Sequence, residues 1–582
     1  MPGPGKDSAV IVNHTANSTF SSDERHDATE DEIRTLQHVP DDKLPRTVWI
    51  ALAISAAERF TFWAITTPWQ NYMQNSPDSA IRGALGLGQS TATNISNAFS
   101  LFYSLVPIPI SIVSDAWLGR YKTLWISIIF YLCGCLVQLV TSLPIVLDQG
   151  GGILGLAIAM FLIGIGLGGV RSTISPFIGD QYPVIPTQVK MNKNGERVII
   201  DRTLTLQYIY NVAYWLLNIA GLSVIPSTFL EKKCGFWAAN LLAFGAFWII
   251  PILLLAFNNQ FVKTPVQRNV LINTSKVLAC SARSKFKIGA ARPQYQLEKH
   301  NRIVSWSDHF VTELQIGLLA CRVMAWFVIF YLGISQISNN LISQAGQMQL
   351  TGFPNDVIQI LNPIACIILG PLIQNYLYPS LNRYRISFGP IARMAVALLT
   401  MAASMAYAAG VQKLIYSRGP CYDNPLKCPA ALLDPTKAPV PNNIVVWVQA
   451  PTYVLLAVSE ILGFATLSEY SYNKAPRHLR TVVQAMRQVT AAVSYALGMA
   501  LSPVSENPKV LWMYVGIAAS LVLIGVAFWV VMGHYDRVDE DLNTLNLKSE
   551  ESGEKVSVRE ELPANTEVNV QEKDEIRPSQ VI

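Results

Sequence analysis

The chain has 582 residues, 51% of them hydrophobic and only 14% charged, with a formal net charge of +5 at pH 7. A soluble chain carries about 25% charged residues, and the charges here sit mainly in the two tails and a few short loops. This excludes one or two soluble domains, a disordered chain and a nucleic-acid binder, and points to a protein that crosses the bilayer many times.

In chain order, residues 1–46 are polar, acidic around Asp23–Glu32 and without an apolar signal segment, and are expected to form a disordered cytoplasmic tail. Six apolar stretches follow at 47–74, 93–117, 122–146, 151–177, 205–228 and 234–257. Each reaches the roughly 20 residues that a hydrocarbon core of about 30 Å demands. Residues 258–311 read as a polar cytoplasmic loop linking two bundles. Six further helices are expected at 312–342, 354–378, 386–411, 444–471, 479–503 and 509–533, followed by a charged, Glu-rich, disordered tail at 534–582. The predicted fold is an all-α membrane protein of twelve transmembrane helices. The six-helix bundles are 47–257 and 312–533, the outline of a major-facilitator transporter.

Lys and Arg crowd the loops after helices 2, 4, 6, 8 and 10, which places those loops and both tails in the cytoplasm of a multi-pass plasma-membrane protein. Among the eight cysteines there is no CxxC pair or Cys/His cluster to suggest a metal. Cys421 and Cys428, in the 411–443 loop on the outer side, pair in an oxidising compartment or stand as two thiols.

A charge inside the bilayer costs about 2.5–3.5 kcal/mol by insertion scales, so it usually faces a cavity or a partner. Such charges are Glu58 and Arg59 in helix 1, Arg171 in helix 4, Arg322 in helix 7, Glu460 and Glu469 in helix 10, and Arg487 in helix 11. Arg322, and Arg393 near a helix end, read as snorkelling or structurally paired side chains. Glu58, Arg59 and Glu460 lie deep in apolar helices and read as cavity-lining. One set of charges per half suits a zwitterionic solute. Arg487 lies roughly 12 Å into helix 11 at 1.5 Å per residue. It is expected to snorkel to the cytoplasmic surface, or else to face the cavity and favour an acidic cargo. Gly164-Ile-Gly166-Leu-Gly168-Gly169 matches the dinucleotide fingerprint, but it lies inside an apolar helix, where small residues serve close helix packing. No Walker motif or nucleophile triad is present. The chain therefore reads as no enzyme, without a cofactor beyond a proton gradient, and as a monomer in the lipid bilayer.

Several motifs in one order resemble the proton-coupled oligopeptide transporter (POT/PTR) family, in particular its fungal peptide transporters. Ser55-Ala-Ala-Glu58-Arg59-Phe60-Thr61-Phe62 is similar to the family's ExxERFxYYG, and Asp115-Ala-Trp-Leu118-Gly119-Arg120-Tyr121-Lys122 to DxxLGRYxT. Gly168-Gly169-Val-Arg171-Ser172-Thr-Ile-Ser175-Pro176-Phe177-Ile-Gly-Asp180-Gln181 resembles GGIKPxVSxFxxDQ. Tyr214-Trp215-Leu-Leu-Asn218, Ser338-Asn339-Asn340, Leu361-Asn362-Pro363 and Ser459-Glu460-Ile461 look like family segments of helices 5, 7, 8 and 10. The resemblance implies proton-coupled symport of di- and tripeptides by alternating access. Asn218, Asn362 and Glu460 would hold the peptide's N-terminal end, and Arg59 and Arg171 its carboxylate, with Trp63 in the same pocket. Glu58 and Arg59 would couple the proton, and Asp115, Gly119 and Arg120 would form the gating loop.

The chain departs from that pattern where proton coupling is concerned. Ser55 replaces the first Glu of ExxER, Arg171 replaces the Lys of helix 4, and Ser172 the Pro that follows it. Phe62-Trp63-Ala64 stands for the aromatic pair and Gly, and the usual helix-2 pocket Tyr is Ser104, beside Tyr103. Lys shifts its pKa when buried, whereas Arg stays charged, so a Lys–Glu switch between helices 1 and 4 is lost. The alternative cargo is a peptide-like or nitrogen-containing metabolite, with altered proton coupling and export as a possible direction.

Overall fold

A computed structural model describes residues 26–27, 32, 36–41, 43–79, 81–183, 188–191, 196–263, 270–284, 287–350, 352–384, 388–426, 428, 431, 440–468, 470 and 480–534. Among them, ten helices are long and apolar enough to cross a membrane: Arg46–Gln74, Gln89–Val113, Arg120–Thr141, Gly152–Asp180, Leu204–Cys234, Phe236–Ala256, Asn355–Leu381, Pro390–Tyr416, Val446–Ser468 and Val510–Met532. They correspond to helices 1–6, 8–10 and 12 of the sequence.

Helices 7 and 11 are present in different form. The stretch expected as one helix at 312–342 is broken into Asp308–Ala325, Val328–Ser335 and Asn340–Gly346. The second break falls at Gln336–Asn339, where the Ser335 and Gln336 side chains both donate to the Leu332 carbonyl and so compete for a helical acceptor. Helix 11, Arg480–Leu501, is continuous but amphipathic. Thr490 and Ser494 of this helix are buried.

Two separate apolar cores underlie the two bundles. One spans Val48 to Phe261, the other Val323 to Met532. The opposite surfaces of the helices carry Ile129, Phe130, Ile153, Phe161, Leu523 and Val530, all exposed. Such a belt fits hydrocarbon, into which only helices with internally satisfied backbones can be inserted. The glycine run of helix 4 packs against helices 2 and 3. A Cβ on Gly166 would stand 2.6 Å from the backbone nitrogen of Tyr131, and one on Gly164 would stand 2.5 Å from Phe102. Close helix contact, not phosphate binding, accounts for that motif.

The 258–311 linker is not a plain loop. It carries helices Val270–Arg283 and Pro293–His300 and its own small core of Val277, Ala291, Trp306, Val311 and Leu314. The N-terminal tail, expected to be disordered to residue 46, contributes strands β1 (His26–Asp27) and β2 (Gln37–Val39). They join β3 (Gln188–Met191) and β4 (Arg197–Ile200) in a four-stranded sheet of order β1-β3-β4-β2, β2 running parallel to β4 and the other pairs antiparallel. Pairing with the loop between helices 4 and 5 supplies the backbone partners that the tail lacks by itself. The C-terminal tail expected from 534 lies, after His534, outside the described residues.

At the Lys/Arg-poor end the two bundles are tied together. Asn71 and Asn355 exchange side-chain amide hydrogen bonds, 2.9 Å in each direction. Gln70 donates to Ser343 at 3.3 Å, Gln89 to Asn340 at 3.1 Å, and Ser90 to the Ser502 carbonyl at 2.8 Å. Cys421 and Cys428, at the same end, are joined in a disulfide.

Candidate substrate and proton site

Helix 1 brings Glu58, Arg59, Phe62 and Trp63 within two turns of one another. Glu58 is 2% exposed, and its Oε1 has no hydrogen-bond partner among the described residues. Its charge acts on both Arg59 and Arg171, so the carboxylate lies in the field of two guanidinium groups. Burying three charges together is tolerable because the lone anion offsets part of the repulsion between the cations.

Both arginines lie against Phe62, their guanidinium carbons 5.5 Å (Arg59) and 5.0 Å (Arg171) from the ring centroid. Arg171 also covers Tyr103 at 4.6 Å. These ring faces give desolvated cations a partner worth about 2 kcal/mol. The Nε atoms of both arginines are buried without a hydrogen-bond partner. Two half-buried cations with unspent donors form an anion-receptive surface.

The second half supplies the opposite charge. Glu460 precedes a π-helical turn, Ile461–Ala465, an irregularity frequent at functional sites. Asn362 Nδ2 donates to Glu460 Oε1 at 3.2 Å, and Cys366 Sγ lies 3.7 Å from Oε2. Tyr214 of helix 5 reaches Cys366 and lies in the field of Glu460, which carries the first half's polar face to this carboxylate. Asn218, one turn further along helix 5, donates to the Tyr214 carbonyl at 2.9 Å. Trp63 packs edge-on against Phe62 and, with Pro363, flanks Gly221. The two halves meet midway, where the Tyr103 and Tyr495 hydroxyls are 3.3 Å apart.

The structure thus gathers Glu58, Arg59 and Arg171 in one cluster, and Glu460 with Asn362 in another. Tyr103, Tyr495, Tyr214 and Cys366 join these clusters and were not singled out as site residues from sequence. Tyr103 had a signal as the neighbour of Ser104, which is buried at 1% exposure, and Tyr214 as the first residue of the helix-5 segment that ends in Asn218. Arg487 does not snorkel. Its Nε donates to the Tyr331 hydroxyl at 3.0 Å and its Nη1 to Ser468 Oγ at 2.9 Å, and it lies over Phe464. Those acceptors on helices 7 and 10 draw it inward. Arg393 donates to the Phe388 carbonyl and covers Tyr378, and Arg322 is exposed. Glu469 lies outside the described residues.

In the loop between helices 2 and 3, Gly119 adopts φ 77°, a left-handed conformation that a side chain would strain. It lets helix 3 start at Arg120, whose Nη1 meets both carboxylate oxygens of Asp180 at 2.6–2.7 Å. This pair clamps helix 3 to the end of helix 4. Asp115 is in the last turn before Gly119, its side chain outside the described residues.

Comparison with known proteins shows the family of the chain. The family model described as PTR2, POT family, matches residues 121–521. The chain is 37% identical over 537 residues to the probable peptide transporter ptr2 of Schizosaccharomyces pombe, covering 92% of this chain and 85% of that one. It is 33% identical over 523 residues to the peptide transporter PTR2 of Saccharomyces cerevisiae, covering 90% and 84%. Among solved structures, the POT family transporter PepTSo superposes with a TM-score of 0.65 at 17% identity, covering 85% of this chain and 99% of that one.

Proposed function

Because the chain belongs to the POT family, we propose that it carries di- and tripeptides across a membrane by proton-coupled alternating access. It is a multi-pass membrane protein, and its relatives are transporters rather than enzymes. The reading is carried by one observation: unspent guanidinium donors of Arg59 and Arg171 in one half, and Glu460 held by Asn362 in the other. A peptide offers a carboxylate to the first and an ammonium to the second. Arg59 and Arg171 bind the carboxylate, Glu460 with Asn362 and Asn218 the ammonium, and Trp63 packs beside the chain. Glu58 exchanges the proton, and Gly119, Arg120 and Asp115 shape the cytoplasmic gate.

We place the protein in the plasma membrane as a monomer with both tails cytoplasmic. The disulfide between Cys421 and Cys428 supports that orientation, because disulfides persist in oxidising compartments. No cofactor is invoked, since a charge moving through 100 mV releases about 2.3 kcal/mol.

A second reading, transport of a peptide-like or nitrogen-containing metabolite, draws on Ser55 and Arg171, which remove a carboxylate and a titratable amine from the coupling site. Purified protein in liposomes, offered radiolabelled dipeptide under an imposed pH gradient, separates the two. Accumulation that a protonophore abolishes supports peptide symport. No dipeptide uptake under any gradient, with binding of another amine-bearing solute, supports the second reading.

A further inference from the structure

Helices 5 and 8 bring two carboxyl groups together where the bundles meet at the outer end. Glu231, in the last turn of helix 5, is 7% exposed, and Asp356, in the first turn of helix 8, is 0% exposed. They are within side-chain hydrogen-bond reach of one another. Yet among the described residues Glu231 Oε2 is buried without a hydrogen-bond partner, and the buried Asp356 carboxylate has, besides Glu231, only the backbone N–H groups of its own residue and Val357 near it at the start of helix 8. Around them lies the reciprocal amide pair Asn71–Asn355, and Asn71 Nδ2 also donates to Glu231 Oε1 at 3.2 Å.

The surroundings offer little positive charge. Lys232 is the cation whose field reaches Asp356, but it is exposed and spends its Nζ on the Gly352 carbonyl at 2.6 Å. The packed segment of helix 7, Asn340–Gly346, has no titratable side chain, and helix 1 contributes Tyr72 beyond Asn71. Asp78 and Arg82 of the following loop are exposed, as is Lys233. Two carboxylates in contact in such a place cannot both be ionised.

We propose that Glu231 and Asp356 form a second proton-binding site, separate from the Glu58 cluster, and that one proton shared between them closes the outer end. One carboxyl then donates to the other, which satisfies an otherwise orphaned oxygen and leaves a single negative charge across the interface. Loss of that proton leaves two adjacent anions on opposite bundles. Their repulsion, with hydration of both groups, parts helix 5 from helix 8. The proton binds on the outer side of the substrate site, so it sets closure and is not the proton that travels with cargo.

The inference deepens the proton-coupled reading and rests on it for its physiological meaning, but its test needs no substrate and no membrane orientation. Nitroxide labels at Asp78→Cys and Val445→Cys, on the outer surface of each half, report the distance across that end. The full chain, with Cys133, Cys234 and Cys280 replaced by Ala, is placed in lipid nanodiscs and measured from pH 5 to pH 8. One linked proton changes the closed-to-open ratio by up to about tenfold per pH unit, so the parent protein should open as pH rises. Asp356→Asn and Glu231→Gln each install an amide donor in the place of the shared proton. Each should stay closed, with a ratio flat across the range. The two near-isosteric single variants check one another if either fails to fold. A ratio that is flat in the parent, or that shifts equally in parent and variants, overturns the proposal. Failure of dipeptide uptake alongside a pH-dependent outer distance would instead count against the peptide reading alone.

Discussion

The guanidinium carbon of Arg171 rests 4.6 Å from the centroid of the Tyr103 ring, and the hydroxyl of the same tyrosine meets Tyr495 of the opposite bundle at 3.3 Å. One side chain thus both seats a buried cation and touches the other half of the protein. Tyr103→Phe keeps the ring under Arg171 and loses the hydroxyl contact, while Tyr103→Ala loses both. A cation–π contact of this kind is worth about 0.5–2 kcal/mol. Tyr103→Ala should therefore raise the KM for dipeptide several-fold, and Tyr103→Phe should leave KM nearly unchanged. Equal KM values in the two variants would remove the ring from the site.

Glu460→Gln retains an oxygen for Asn362 but cannot bear charge. A hydrogen bond to a charged group contributes about 1.5–3 kcal/mol, so affinity for a free dipeptide should fall at least tenfold. An N-acetylated dipeptide, which has no ammonium, should be bound equally well by parent and variant. A loss of the same size for both ligands would show that Glu460 serves the fold rather than the ammonium.

Glu58→Gln removes the anion whose field reaches Arg59 and Arg171. Proton-driven accumulation and the rise of uptake with external acidity should both disappear, while exchange of labelled for unlabelled peptide persists. If this variant still concentrates peptide in proportion to the pH gradient, the coupled proton sits on another group.

Arg487 donates through Nε to Tyr331 and through Nη1 to Ser468 within its own bundle, so these two contacts hold it before cargo arrives. Arg487→Leu should then impair Glu-containing and neutral dipeptides to a similar degree, through helix 11 packing. A selective loss for the acidic peptide, measured by competition against a neutral one, would restore Arg487 to the binding surface.

Gly166 faces the Tyr131 backbone nitrogen across a gap that a Cβ would cut to 2.6 Å, whereas Gly245 has nothing within 4 Å. Overpacking costs about 1–3 kcal/mol. Gly166→Ala should lower the melting temperature of the detergent-purified protein by several degrees, and Gly245→Ala should not. Identical melting curves would mean that helices 3 and 4 can separate freely.

The amino-acid sequence by itself determined the twelve-helix plan, since long apolar runs have no alternative but burial or lipid, and this signal is local. It also marked Glu58, Arg59, Arg171 and Glu460, because an ionisable group within an apolar helix stands out from its neighbours. The same local signal was silent on Tyr103, Tyr214, Cys366 and Tyr495, whose residue types are ordinary in apolar helices. Their place in the site depends on which helix face meets which, a matter of pairing between segments far apart in the chain. Arg487 shows the limit from the other direction: its depth in helix 11 could be counted, but the acceptors that decide its direction lie on helices 7 and 10. Likewise the tail residues His26–Asp27 and Gln37–Val39 read as disordered because their partners are the strands Gln188–Met191 and Arg197–Ile200. Helix 7 kept its overall extent and lost its continuity at Gln336–Asn339, where polar side chains compete locally with the helical backbone. The juxtaposition of Glu231 with Asp356 belongs wholly to the tertiary structure, because only the closing of one bundle against the other puts two acidic residues, each unremarkable at a helix end, into one dry contact.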